Sequence, residues 1–178
     1  MGDKKSLACI ILAAGQGKRM QSGLPKVLHR LAGRPLIHWL LDSIAPLCPE
    51  KTIVVTGSEN SDIAAAVPSC DIAVQKKPRG TGDAVKAALA VLGDFKGDVL
   101  ILLGDMPLIT TQTLRALIAE RYQDSKTGLA VLGVEFDVPP AFGRLVLGAD
   151  GALSKIVEDR DCSADERSIR LCNSGAFC

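Results

Sequence analysis

The chemically suggestive residues begin at the end of the first apolar run. Leu12-Ala13-Ala14-Gly15-Gln16-Gly17-Lys18-Arg19-Met20 places small residues and two glycines directly before a Lys-Arg pair. Backbone N–H groups in such a loop can approach an anion closely, and the two cations add charge beside them. A glycine pair alone would serve equally well as a plain strand-to-helix turn. Leu24-Pro25-Lys26 favours the anion reading, because it sets another cation soon after the loop on a segment stiffened by proline. Two familiar phosphate loops do not apply. The dinucleotide pattern G-x-G-x-x-G needs glycine at Met20, and the P-loop pattern needs glycine at Leu12.

Two further stretches could complete a nucleotide site. In Leu103-Gly104-Asp105-Met106-Pro107 an aspartate emerges straight after an apolar run. A hard carboxylate there can hold Mg²⁺ against phosphate oxygens, or simply form the turn. In Gln75-Lys76-Lys77-Pro78-Arg79-Gly80-Thr81-Gly82 the glutamine amide can read a base edge, and Gly80-Thr81 offer small groups at a helix N-terminus. The bland alternative is a basic, solvated turn. His29 and His38 lie on helix-like segments and read as structural or surface residues, and neither a Ser-His-Asp nor a Cys-His arrangement is evident.

These loops require a framework that brings them to one edge. Leu7–Ala13, Thr52–Gly57, Ile72–Val74 and Val99–Leu103 are short aliphatic runs that read as strands. Pro35–Ala45, the segment after Ser61, Thr81–Leu92 and Thr111–Tyr122 have helical spacing. Strands apolar on both faces, alternating with helices, imply a parallel sheet covered by helices. Ligands then bind beyond the carboxyl ends of the strands. After Gly128 the pattern changes to strands joined by turns, with Asp150-Gly151 as a hairpin signal.

Composition bounds the rest. The 178 residues are 47% hydrophobic, enough for one α/β domain, and carry a formal net charge of +1. No overall field argues for nucleic acid or an anionic membrane as a partner, so phosphate chemistry must be local. The six cysteines are scattered without metal-ligand spacing and read as reduced thiols of a cytoplasmic protein. No apolar run approaches the ~20 residues of a membrane span. The last residues, NSGAFC, end as a strand is starting, so the natural chain is expected to continue.

Taken together, LAAGQGKRMQSGLPKVLHRLAGRPLI, Q-x₄-GTG-x-A, GDMPLI, FGRLV, KIVEDRDC and NSG resemble the sugar-nucleotidyltransferase superfamily. Within it they are most similar to the uridyltransferase domain of bacterial bifunctional N-acetylglucosamine-1-phosphate uridyltransferases. The resemblance implies a Rossmann-like three-layer α/β fold: a mostly parallel mixed sheet flanked by helices, with a nucleotide-binding part over 1–127 and a β-rich sugar-binding part over 128–178. It also implies transfer of UMP from UTP to N-acetylglucosamine 1-phosphate with Mg²⁺ as cofactor. Leu12, Ala13, Ala14, Gly15 and Gln75 would hold the uridine, Gly80 and Thr81 would complete the base and ribose contacts, and Arg19 and Lys26 would be the catalytic, phosphate-contacting cations. Gly104 and Asp105 belong to the substrate site, Asp105 as metal ligand, while Gly143, Glu158 and Asn173 would line the sugar side.

Three positions depart from that pattern: Leu103 fills a place that is usually tyrosine, and Arg79 and Asp83 flank Gly80-Thr81-Gly82 where a hydrophobic residue and a histidine are often found. The family's second metal ligand and its acetyltransferase β-helix would follow beyond residue 178. Sibling readings are a molybdopterin guanylyltransferase or a cytidylyltransferase, which share LAAG-x-G-x-R-M and LPK. A reading from another class is a sugar-nucleotide-binding module without turnover.

Overall fold

The computed structural model describes residues 6–15, 17, 20–58, 61–77, 79–123 and 127–178. Its framework grows from one strand. β1 (Leu7–Leu12) is parallel to β4 (Lys51–Gly57) on one side and to β6 (Asp98–Leu103) on the other, with Ile10 registered against both Ile53 and Ile101. Successive side chains of a strand point to opposite faces, and here both faces are buried. Cys9 and Ile11 enter one core, whereas Ala8 and Ile10 enter the other.

The first core is covered by α1 (Leu36–Ile44), α2 (Ser61–Ala66) and α4 (Thr111–Arg121). α1 buries Ile37, Leu40 and Ile44, residues spaced three and four apart so that they share one helical face. α4 contributes Leu114 and Leu117 and starts at Thr110, whose hydroxyl accepts the Thr113 N–H at 3.1 Å. The second core lies under α3 (Thr81–Leu92), which brings Ala84, Ala88 and Leu92 against Ile53, Val55 and Ala73. Small alanines let this helix sit close to the sheet. The result is the three-layer α/β arrangement that the alternating pattern implies, with every long helix and parallel strand at or within a residue of its expected place.

β5 (Asp71–Gln75) forms one edge, and the sheet runs β5-β4-β1-β6 and then through β10 (Leu171–Phe177), β8 (Arg144–Leu147) and β9 (Leu153–Val157). β8 and β9 make the hairpin signalled by Asp150-Gly151. β10 is antiparallel to β6, to β8 and to β7 (Val131–Glu135). The β-rich segment therefore continues the same sheet and gives it its mixed character. A two-residue hairpin, β2 (Arg30–Leu31) with β3 (Arg34–Pro35), was not legible in the sequence. It turns at Ala32 (φ 51°) and Gly33 (φ 81°), and strands this short leave no periodicity to read. Among the described residues, no helix is long and apolar enough to cross a membrane.

All six cysteines are free, as expected from their scatter, but their surroundings differ. Cys48 is exposed. Cys9, Cys172 and Cys178 are buried, and desolvation first, then the charges of neighbouring thiols, pushes the Cys9 thiol up to about 12. Burial likewise raises Cys178 to about 11. Cys48 is expected to react promptly with a thiol reagent at neutral pH, while Cys9 and Cys178 stay protected until the protein is denatured. Mass spectrometry of the alkylated protein reads this directly, and early modification of Cys9 would contradict the packing. Gly175 supplies a second test. Its φ is +84°, and an added Cβ would lie 2.5 Å from Leu103 Cδ1, so Gly175→Ala is expected to lower the unfolding free energy by about 2 kcal/mol in a denaturant titration.

Candidate nucleotide site

In the sheet, the chain leaves β1 toward β4 and β5 and then returns to β6 on the opposite side of β1. The loops after β1 and β6 are thus directed apart, which opens a crevice at the carboxyl ends of these strands. Leu12 and Leu103 are registered neighbours at its floor. A cavity of about 700 Å³ occupies this crevice.

Its lining brings most of the sequence-predicted site residues together. Leu12 ends β1 and Ala13, Ala14, Gly15 and Gly17 follow it, Gln75 ends β5, Gly80 and Thr81 lead into α3, and Lys26 and Asp105 complete the lining. The candidate Arg19, with Gln16, Lys18 and Pro78, lies outside the described residues. Gly17 has a structural reason: its φ is +56°, and a Cβ there would sit 3.1 Å from the Lys26 Cβ. The loop turns back closely over the lysine stem, as only glycine permits without strain.

Lys26 begins a short 3₁₀ turn (Lys26–Leu28) after Pro25. Its Nζ donates to Asp105 Oδ2, and both side chains are only partly exposed, 45% and 24%. This pair joins the two strand-end loops across the cavity. Asp105 is placed by Gly104, which is buried and does not itself line the cavity. The Gly104 N–H donates to the Leu12 carbonyl at 2.9 Å, and a Cβ on it would meet Val27 Cγ1 at 2.8 Å. The backbone therefore crosses close beneath the first loop and delivers the carboxylate into the opening.

For a divalent cation the donor set is sparse but suitable. Among the described residues, no group of three His, Cys, Asp or Glu could hold a metal. Asp105 retains a second carboxylate oxygen beside a cavity flanked by glycines and a lysine. Mg²⁺ keeps several waters and uses one or two carboxylates plus substrate phosphates, so a single aspartate in an opening with room for phosphates fits it.

The base side is formed by Gln75, buried at 6% exposure at the end of β5. Its Nε2 donates to the Gly80 carbonyl at 3.1 Å and to Asp83 Oδ2 at 2.8 Å. Gly80, at φ +104°, precedes the first turn of α3. Two of the departures from the resembled pattern, Leu103 and Asp83, thus meet the cavity differently. Leu103 lines it as an apolar wall, and Asp83 engages the base-side glutamine from behind.

Gly143, Glu158 and Asn173 do not line this cavity but form a neighbouring cluster. The Asn173 N–H donates to the Gly143 carbonyl at 2.7 Å, and Glu158 Oε2 lies 3.7 Å from where a Gly143 Cβ would be. Asn173 Oδ1 accepts the Gly175 N–H at 2.9 Å. Ala141 and Phe142 connect the cluster to the cavity rim.

Several contributors were not singled out from sequence: Met20, Val27, Ala84, Ala141 and Phe142 line the opening, and Arg144 braces it. Arg144 is 1% exposed. Its Nη1 donates to the carbonyls of Pro140, at 3.1 Å, and Phe142, and its Nη2 to Asp159 Oδ1 at 3.1 Å. The Phe-Gly pair before Arg144 was the available signal, since an arginine between a glycine and an apolar strand has few reasons to be buried unless it orders a loop.

Comparisons with known proteins agree with this geometry. Residues 9–164 match the MobA-like NTP transferase domain. The bifunctional protein GlmU of Zymomonas mobilis is 44% identical over 96% of this chain and 39% of its own length. That of Paramagnetospirillum magneticum is 48% identical over 96% of this chain and 38% of its own. The chain thus spans well under half the length of these curated relatives. Among solved structures, HddC from Yersinia pseudotuberculosis superposes with a TM-score of 0.72 at 21% identity, covering 96% of this chain and 75% of that one, a likeness of fold. With the glycine loop, the switch-point cavity and this match in place, the chain belongs to the MobA-like NTP transferase family.

Proposed function

We propose that the chain carries the site of an enzyme that transfers UMP from UTP to N-acetylglucosamine 1-phosphate, releasing pyrophosphate. The observation that carries this reading is one cavity in which a glycine-rich strand-end loop, a buried base-side glutamine and the Lys26–Asp105 pair face one another. The 44–48% identity to GlmU proteins supports the choice of uridine nucleotide and amino-sugar phosphate.

In this reading residues 1–127 bind the nucleotide and 128–178 the sugar. Leu12 to Gly15 pass along the uridine, Gln75 meets the base, and Gly80 and Thr81 complete the base and ribose contacts. Lys26 and Arg19 contact the triphosphate. A phosphate oxygen of the sugar attacks the α-phosphorus in line, and the bond to the β-phosphate oxygen breaks with pyrophosphate as leaving group. The attacking oxygen is already ionised, so no protein nucleophile or base is required. The residues position two polyanions and counter the charge that accumulates between them.

Lys26 changes partner as the substrate binds: an ammonium held by Asp105 in the free protein is offered phosphate oxygens of higher charge. Asp105, so released, would hold Mg²⁺, whose contribution when bound is to neutralise phosphate charge. Ala141 and Phe142 lie on the side toward Glu158 and Asn173, which would hydrogen-bond sugar hydroxyl or acetamido groups. Leu103 gives that side an apolar surface.

Pyrophosphate release measured across UTP, dTTP, CTP and GTP, with and without N-acetylglucosamine 1-phosphate, tests the reading. Release is expected only with Mg²⁺, UTP and the sugar phosphate together. Release with another nucleotide instead would move the assignment to a sibling transferase, and none from a folded sample would leave a binding module. Lys26→Ala and Asp105→Asn are each expected to lower kcat by about 100-fold or more. Undiminished turnover in either variant would remove that residue from the mechanism.

A further inference from the structure

Gln75 is anchored in a way that limits what it can say to a ligand. A side-chain amide has two N–H donors and one carbonyl acceptor. Here both donors are spent inside the protein, one on the Gly80 carbonyl and one on Asp83 Oδ2. Neither partner can donate, so the amide cannot turn over without setting its oxygen against a carboxylate and a carbonyl. The side chain is buried yet lines the cavity, and its hydrogen bonds among the described residues are the two donated by Nε2, none being accepted by Oε1. What Gln75 presents to the cavity is therefore an acceptor alone.

On the reading that this cavity binds a nucleotide base there, we propose that Asp83 is a specificity-determining positioning residue. By holding the Gln75 amide nitrogen it leaves Oε1 to accept a ring N–H, and so selects uracil or thymine over cytosine. Uracil and thymine carry a hydrogen on N3. Cytosine carries a lone pair at that position, which would face the Oε1 lone pairs with no proton between them. A site built to pair with an N–H rejects an analogue lacking it far more strongly than an apolar pocket rejects a change of size.

An acid in the first turn of α3 also complements the helix dipole, which is reason enough for Asp83 to affect stability. That role would not distinguish one pyrimidine from another. The discriminating quantity is hence a ratio of affinities rather than an affinity.

The experiment is calorimetric titration of the chain with UTP and with CTP, Mg²⁺ present and sugar phosphate omitted so that no turnover occurs. The unaltered chain is expected to prefer UTP by about 100-fold. Asp83→Ala frees the amide to rotate and is expected to narrow that preference about tenfold, the scale of one charge-assisted hydrogen bond. An unchanged ratio, or an equal loss of both nucleotides, would overturn the assignment. N3-methyl-UTP, titrated against the unaltered chain, gives an answer that does not depend on how the variant folds. It is expected to bind as poorly as CTP, and binding as tight as UTP would overturn the inference. Failure of the unaltered chain to bind either UTP or CTP would refute the nucleotide-site reading itself. UTP binding with an unmoved ratio refutes only the role of Asp83.

Discussion

Everything in this molecule depends on β1 being hydrogen-bonded on both sides to parallel neighbours that the chain reaches in opposite directions. A strand in that position must be apolar on both faces, and LACIIL is. Its carboxyl end must also open into the crevice created by the reversal of direction. The loop there inherits N–H groups that the ladder no longer uses, and the loop after β6 stands opposite across the width of one strand pair. An anion-binding turn and a carboxylate are thereby brought face to face by topology, before any particular side chain contributes.

The glycines then determine how near these parts come. At Gly104 the chain passes beneath the β1 loop at a distance that no side chain would tolerate, and at Gly17 it folds back over Lys26. The ion pair between Lys26 and Asp105 follows from those two approaches. Because both partners are part-exposed, the pair contributes little to stability. Its value is positional: two opposite charges are kept in one place, available to a phosphate and a cation.

The parallel half was legible because its signals are physical requirements repeated many times. Leu7–Ala13 and Val99–Leu103 could be little other than strands buried on both faces, and Ile37, Leu40 and Ile44 mark one side of a helix. Asp105 and Gln75 could be placed at the strand ends for the same reason. The contacts made from behind the site were harder to foresee. Nothing local says that Asp83 reaches back to Gln75, or that Arg144 is buried, since each depends on where a distant backbone carbonyl or amide arrives in space. The β2–β3 hairpin was missed for the opposite reason, being too short to leave a period. The sugar-side candidates Gly143, Glu158 and Asn173 were found through resemblance to a family, and the structure sets them beside one another as neighbours of the cavity rather than in its wall.

Arg144 gives the rim of the site a mechanical character. Its guanidinium lies in a place almost closed to water, with the carbonyls of Pro140 and Phe142 and the Asp159 carboxylate as its acceptors and, among the described residues, no acceptor for Nε. Swinging the 140–143 segment outward would strip the Pro140 and Phe142 carbonyls from the guanidinium and leave it Asp159, at a cost of about 1.5–3 kcal/mol for each lost hydrogen bond to a charged group. That side of the mouth therefore behaves as a wall and not as a lid. A ligand entering past Phe142 meets a braced rim, so fit on that side is tested against the ligand's own shape at the moment of entry.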